Sequence, residues 1–457
     1  MKLAPYPEYK DSGAPWLGKI PAHWESRKLR NMLTPVSDRN RPDLPLLSVV
    51  REKGVIKRNV SSKEENHNFI PDDLSNYKVV LKGQFAMNKM KAWQGSYGVS
   101  NLDGIVSPAY FVFDLDGAEG KFFHVAIRSK TYVPFFTQAS DGVRVGQWDL
   151  NQSRMKEIPF FIPSAEEQTQ IACFLGWETA QINKFIRNKR RFIELLKEQK
   201  QNVINQAVTR GLDPKVKLKP SGVEWIGDIP EHWEAMRVKF LFAEREERKG
   251  DTEFKLLSFS RSKGLVPFAE ISSKPPSAED LSKYKVCRPG HLLMNRMQAW
   301  SGMFTDVVIE GVVSPDYSVF EPIRPMSVAY FSYLFKTKRH VDEFAMASKG
   351  IGDGFNRLYT PAFGAIRTLC PPVDEQNEIV EFIKQETAII DVAISRAEQE
   401  IELMREYRTR LISDVVTGQV DVRNMKCEGG SLNEDEFEDI EEVEEEIELP
   451  EGGEDDE

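Results

Sequence analysis

Two stretches of this chain carry mostly apolar side chains at alternating steps of four and three. The first series runs Ile182, Ile186, Lys189, Ile193, Leu196, Lys200, Val203, Ala207, and the second Ile390, Ile394, Ala397, Ile401, Met404, Arg408, Leu411, Val415. This mostly apolar spacing draws one seam along a helix and is the heptad signature of coiled coils. Each stretch follows a proline-bearing segment, FFIPSAEEQ or LCPPVDEQ. It then continues for about 45 residues without proline, with Gly176 as its only interior glycine. Proline ahead of a first turn that holds Glu and Gln is a helix start signal, so two long helices are predicted. The charged seam positions Lys189, Lys200 and Arg408 either fix the register of a helix pair or snorkel to its surface.

Elsewhere the pattern shortens. LLSVV, YKVVLKGQFAMN, GIVSPAYFVFDL and LLSFS read as strands broken by turn residues. FHVAIRSKTYVPFF and AYFSYLFKTKRHVDEF read as short helices between them. That mixture predicts an α+β fold rather than a regular βαβ winding.

The chain is also written twice. GAPWLGKIPAHW returns as GVEWIGDIPEHW, DLSNYKVV as DLSKYKVC, MNKMKAW as MNRMQAW, GIVSPAYFVF as GVVSPDYSVF, and EEQTQI as DEQNEI, at an offset of 207 to 209. A period that long exceeds the roughly 20–50 residues of solenoid repeats. It predicts two similar domains, each with its own core, in a pseudo-two-fold relation. Two seams in one chain pack most simply on each other. An antiparallel pair would set the globular domains at opposite ends of a spacer of roughly 45–60 Å, at 1.5 Å per residue. The expected boundaries are 1–162 and 214–371 for the globular domains and 163–213 and 372–421 for the helices, with a tail over 422–457.

At 457 residues, 40% hydrophobic and 10% aromatic, the chain can bury two or three cores. No apolar run approaches the roughly 18–20 residues of a membrane span, and MKLAPYPEYKD lacks a signal-peptide apolar stretch, so a cytoplasmic protein is expected. Cys173, Cys287, Cys370 and Cys427 have no metal-ligand spacing and read as reduced thiols. The net charge of −10 conceals an asymmetry: 17 acidic and no basic residues lie between Glu428 and Glu457. Without them the body has 54 acidic against 61 basic residues, a balance of +7. Such a tail is expected to be disordered; it either solvates the chain or competes with a polyanion for the body.

Two domains that open with W-[IL]-G-x-I-P-x-H-W, close into P-x-x-x-E-Q and alternate with long helices are specific in combination. From about Gly13 to Asp421 the chain resembles the specificity (S) subunit of prokaryotic type I restriction–modification systems. The resemblance implies that each globular domain is a target recognition domain for one half of a bipartite DNA sequence. It further implies that the helices form an antiparallel coiled coil that sets the spacing. Two methyltransferase (M) subunits would dock on the chain and restriction (R) subunits would join them. A spacer of 45–60 Å suits half-sites about one helical turn, near 34–36 Å, apart.

Catalytic strings are decoys. SPAY and SPDY (Ser107–Tyr110, Ser314–Tyr317) look like the base-gripping tetrapeptide of amino-methyltransferases, but the second proline is missing and no Gly-rich cofactor loop follows a strand. No phosphate-loop string for ATP is present. Asp114 with Glu119 and Lys121 faintly suggests a nuclease, and the second copy lacks it. His23 and His232 read as packing residues of a corner. The chain is therefore expected to hold no cofactor and no metal and to be no enzyme. S-adenosylmethionine, ATP and Mg would belong to the partner subunits. Two other readings remain open, a self-sufficient DNA methyltransferase or nuclease, and a protein-interaction scaffold that does not bind DNA.

Base reading uses Arg and Lys for guanine and Asn and Gln for adenine, while Lys and Arg also position the backbone. Three groups of candidates follow. The first is Lys89 and Lys91 against Arg296 and Gln298, in NKMKAWQGSYG and NRMQAWSGMF. The second is Arg144 and Gln147 against Asn356 and Arg357, on a shared AS-x-G frame. The third, after the LLS strands, is Arg51, Lys53, Lys57 and Arg58 against Arg261 and Lys263. Alternatively Met87, Met90 and Trp93 are core and the lysines merely face solvent.

Overall fold

The long elements are two helices, Ala165–Arg210 and Val373–Val416. The computed structural model describes residues 4–51, 53–58, 73–142, 148–261, 264–272, 281–350 and 356–425. The chain divides into two compact units, Met1–Arg190 with Glu398–Glu457, and Arg191–Ala397. Each unit thus contains one globular part with one stretch of each long helix. Both mix helix and strand.

Each globular part is built around a four-stranded antiparallel sheet. In the first unit its order is Leu33–Val36, Tyr110–Leu115, Phe85–Asn88, Tyr97–Val99, with Tyr110 opposite Asn88 and Val112 opposite Val36. In the second the order is Phe242–Arg245, Tyr317–Pro322, Leu292–Asn295, Phe304–Asp306, with Tyr317 opposite Asn295 and Val319 opposite Arg245. Alternation along these strands turns one set of aromatics inward. Phe85 and Phe113 join Phe123, Phe136 and Phe160 in one core, and Phe304 and Phe320 join Phe335, Phe344 and Phe363 in the other.

Short helices cover the sheets. Gly120–Ile127 starts at Glu119, whose carboxylate accepts from the Phe122 N–H at 2.7 Å, an N-cap worth about 1 kcal/mol. Asp114 accepts from Gln84 Nε2 at 2.8 Å. Both carboxylates of the faint nuclease pattern therefore have structural work. The SPAY and SPDY strings are turns closed by Tyr110 N–H to Ser107 O (2.9 Å) and Tyr317 N–H to Ser314 O (3.0 Å).

The seam residues Ile182, Ile186, Ile193, Ile390, Ile394, Ile401 and Leu411 are buried, and Leu196, Val203 and Met404 are half-buried. The charged seam positions reach the opposite helix. In the first unit Arg408 donates to Asn183 Oδ1 at 3.1 Å and Lys189 Nζ lies 2.6 Å from Glu400. As the number rises on one helix it falls on the other, so the two run antiparallel there. In the second unit Lys200 Nζ lies 2.7 Å from Asp391.

Cys173, Cys287 and Cys370 are free thiols, and Cys427 lies outside the described residues. Among the described residues, no helix is long and apolar enough to cross a membrane.

One histidine, His340, is buried and another, His124, is half-buried against the sheet. His340 sits between the Thr337 and Thr368 hydroxyls at 2.9 and 3.0 Å, and His124 Nδ1 accepts from the Val99 N–H at 3.1 Å. Burial pushes both down to about 3, helped at His124 by the Arg128 charge. With folded values below the unfolded 6.5, their contribution is complete above about pH 6.5. It is lost as pH falls toward 3, at about 1.4 kcal/mol per pH unit for each histidine. Melting temperature should therefore drop between about pH 7 and pH 5, and less steeply in His340→Gln. An equally steep drop in that variant would contradict the assignment.

Candidate nucleic-acid interface

What holds each globular part in place is a carboxyl group at the start of its long helix. Glu167 is buried; its Oε1 accepts from Tyr6 Oη at 2.6 Å and Trp24 Nε1 at 3.0 Å, and His23 Nε2 lies 2.7 Å from Oε2. Burial, then the hydrogen bond to Glu167, holds the Tyr6 phenol far above its ordinary range. In the second unit Glu375 Oε2 accepts from Trp233 Nε1 at 2.9 Å, with His232 Nε2 at 2.7 Å. The neighbouring glutamines repeat one pattern. Gln168 donates to Pro163 O and accepts from the Glu119 N–H; Gln376 donates to Pro371 O and accepts from the Ser327 N–H. The two signature strings, H-W and E-Q, are thus two halves of one lock.

At one end of the second unit's sheet, the described residues of the first two candidate groups come together, and the first group holds the same place in the first unit. The strand Phe85–Asn88 leads into a single 3-10 turn, Ala92–Gln94, closed by Gly95 at φ 98°. Leu292–Asn295 leads likewise into Ala299–Ser301 and Gly302 at φ 82°. Ahead of these turns stand Lys91 and Gln298, both exposed, at the same point of the frame. Met87 and Met294 are core, whereas Met90 is 54% exposed. Trp93 and Trp300 are tied down by their indole N–H groups, to Met90 O at 3.2 Å and Met297 O at 2.9 Å.

The described residues that follow or form the second group pack beside the first. In the first unit the Leu150 N–H donates to Lys89 O, Lys89 Nζ pairs with Asp149 at 2.9 Å, and Trp148 packs at a tilt against Trp93 with ring centroids 5.1 Å apart. In the second, the Leu358 N–H donates to Arg296 O. Arg357 bonds Asp316 at 2.7 Å and approaches Met297 Sδ at 3.3 Å, while Asn356 is exposed. Arg296 is half-buried and donates to Pro315 O at 2.6 Å and Asp316 O at 3.0 Å, so its guanidinium braces the SPDY corner. Arg144, Gln147 and Lys263 lie outside the described residues.

The third group is only partly gathered. Arg261 donates to Ser301 Oγ at 2.8 Å, which brings it to the turn after Gln298. Arg51 accepts at its carbonyl from Arg128 at 2.9 Å; Lys57 is exposed, and Lys53 and Arg58 are half-buried. Reading only cations and amides for DNA contact missed Asp149 and Asp316, which position them. Asp316 was visible as a difference between copies, since SPAY has Ala109 there.

No protein-family model matches the chain. It is 20% identical over 453 residues to a protein named as the MjaX type I restriction enzyme specificity subunit of Methanocaldococcus jannaschii, covering 89% of this chain and 96% of that one. A chain from a structure of type I restriction–modification system assembly and conformational transition superposes with a TM-score of 0.62 at 13% identity. That match covers 88% of this chain and 99% of that one. The HsdS subunit of Thermoanaerobacter tengcongensis superposes with a TM-score of 0.50 at 13% identity, covering 88% and 98%. In sequence and in fold, the chain is similar to specificity subunits along nearly all of their length.

Glu167→Ala would leave the buried Trp24 indole and Tyr6 hydroxyl without an acceptor, at a cost of about 3–5 kcal/mol in denaturant unfolding. Glu375→Ala should cost less, because the Glu375 side chain is 22% exposed and water can replace it. Equal losses, or a loss below about 1 kcal/mol at Glu167, would show that the lock does not carry the fold.

Proposed function

We infer that this chain is the specificity subunit of a type I restriction–modification system, a recognition subunit that reads bipartite duplex DNA and performs no chemistry. The observation that carries this reading is a likeness to specificity subunits along nearly all of their length, in a chain whose two units repeat one frame with different polar tips. Lys91 and Gln298 stand at one position of that frame, as readers of two unlike half-sites would. Each unit reads one half, and the long helices form the coiled coil that sets the gap. Lys189, Lys200 and Arg408 favour this role, since polar contacts across a seam define register.

Two methyltransferase subunits dock on the long helices, whose outer faces carry apolar side chains such as Ile389 and Leu403, 68% and 63% exposed. Restriction subunits join them. S-adenosylmethionine, ATP and Mg are held by those partners. No observation favours a self-sufficient methyltransferase, a nuclease or a scaffold that ignores DNA.

Selection of the full chain, with its methyltransferase partner, against a random duplex pool tests this. A split motif with a fixed gap is expected, and no enrichment of any split motif would sink the reading. Gln298→Ala should relax discrimination in one half of the motif by about 1–3 kcal/mol, the worth of one good base contact. A change in both halves together would contradict independent reading.

A further inference from the structure

DLSNYKVV and DLSKYKVC place Lys78 and Lys285 at one position of the repeated frame. Each pairs across an isolated antiparallel bridge with an arginine, Lys78 with Arg39 and Lys285 with Arg248. The surroundings of the two lysines then diverge. Lys285 is 2% exposed, and its Nζ lies 2.8 Å from Glu246 and 3.8 Å from Glu244. Glu246 also pairs with Arg248 at 3.3 Å, and Glu244 accepts from Ser318 Oγ at 2.7 Å. The hydrogen bond from Lys285 holds the Glu246 carboxyl below its usual range.

The first unit lacks both carboxylates. Strand register puts Pro35 opposite Phe113, where Glu244 faces Phe320, and two residues on Ser37 takes the place of Glu246. Lys78 is half-buried, donates to Tyr110 O at 2.6 Å and lies 5.7 Å from the Phe111 ring. Neither it nor the exposed Arg39 makes an ion pair among the described residues. Burial, then the charges of Arg39 and Lys89, depress the Lys78 ammonium below the usual lysine range. An ammonium has three donors, and a cation held with no counter-charge favours an incoming anion. Tyr110 lies opposite Asn88, next to Lys89, so this cation pair borders the loops assigned to DNA.

We propose that Lys78 and Arg39 form a binding site for one backbone phosphate of duplex DNA, and that the second unit lacks the equivalent site because Glu244 and Glu246 neutralise Lys285. The site rests on the DNA-reading function above. A phosphate would supply the negative charge that the two glutamates supply in the other copy. The backbone grip is then asymmetric although the frame is duplicated.

The test is the salt dependence of binding by the full chain with its methyltransferase partner, on several duplexes. Lys78→Gln should weaken all of them alike, about fivefold near roughly 100 mM salt, and make the log–log slope shallower by about one. Lys78→Arg should keep the slope. Glu244→Gln with Glu246→Gln should steepen it by freeing Lys285. If Lys78→Gln does not fold, Arg39→Gln carries the same expectation. A wild-type slope in these neutral variants overturns the site, as does a loss confined to one base position, which would make Lys78 a base reader. Wild-type chain that binds no duplex sinks the DNA-reading function and the site together; wild-type binding with an unmoved slope sinks the site alone.

Discussion

In each unit, a tryptophan indole held by a glutamate carboxyl joins the globular part to the helices. Trp24 and Trp233 are completely buried. Enclosing an indole of roughly 200 Å² contributes about 5 kcal/mol, but only if its N–H finds an acceptor. Glu167 and Glu375 supply it from the first turn of a long helix, where the helix dipole also favours a carboxylate. The other helix ends at the same place. Gly418 terminates it at φ 74°, and a Cβ there would lie 2.3 Å from Pro21 Cδ and 3.3 Å from Trp24. Gly211, at φ 75°, closes against Trp233 and Glu375 in the second unit. One helix therefore begins and another ends on each tryptophan.

This arrangement frees the far end of each sheet for variation. The frame residues Met87 and Met294, Trp93 and Trp300, Gly95 and Gly302 keep the turns in one shape, with left-handed glycines where other residues would be strained. On that shape the side chains differ in what they are already bound to. Lys91 and Gln298 project outward, whereas Arg296 and Arg357 are engaged with the SPDY corner. A guanidinium that braces a turn still lends positive potential to its surface. It has fewer donors left for a base.

The long helices and the mixed α+β character were legible because both depend on local periodicity and turn chemistry. The Glu and Gln of E-Q were legible only as helix start signals. Ser164, three residues ahead of Glu167, even completes the form of a capping box, and its Oγ does accept from the Glu167 N–H at 3.4 Å. The Glu167 side chain turns instead to Tyr6, His23 and Trp24, more than 140 residues away in the chain. Asp114 and Glu119 show the same limit, since a carboxylate that accepts from an amide side chain or caps a helix looks in sequence like one awaiting a metal.

The sequence by itself determined the duplicated frame, the extent of the helices and the positions where the copies differ, since spacing and repetition are properties of the chain. Tertiary structure decided which charges are spent. Lys78 and Lys285 stand in nearly identical strings, yet one is half-buried with a backbone carbonyl as its partner and the other is enclosed beside glutamates about 40 residues earlier in the chain, in and just after the strand Phe242–Arg245. The free energy of a charge depends on its solvation and on neighbours within a few ångströms. Those neighbours come from strands that only folding brings side by side.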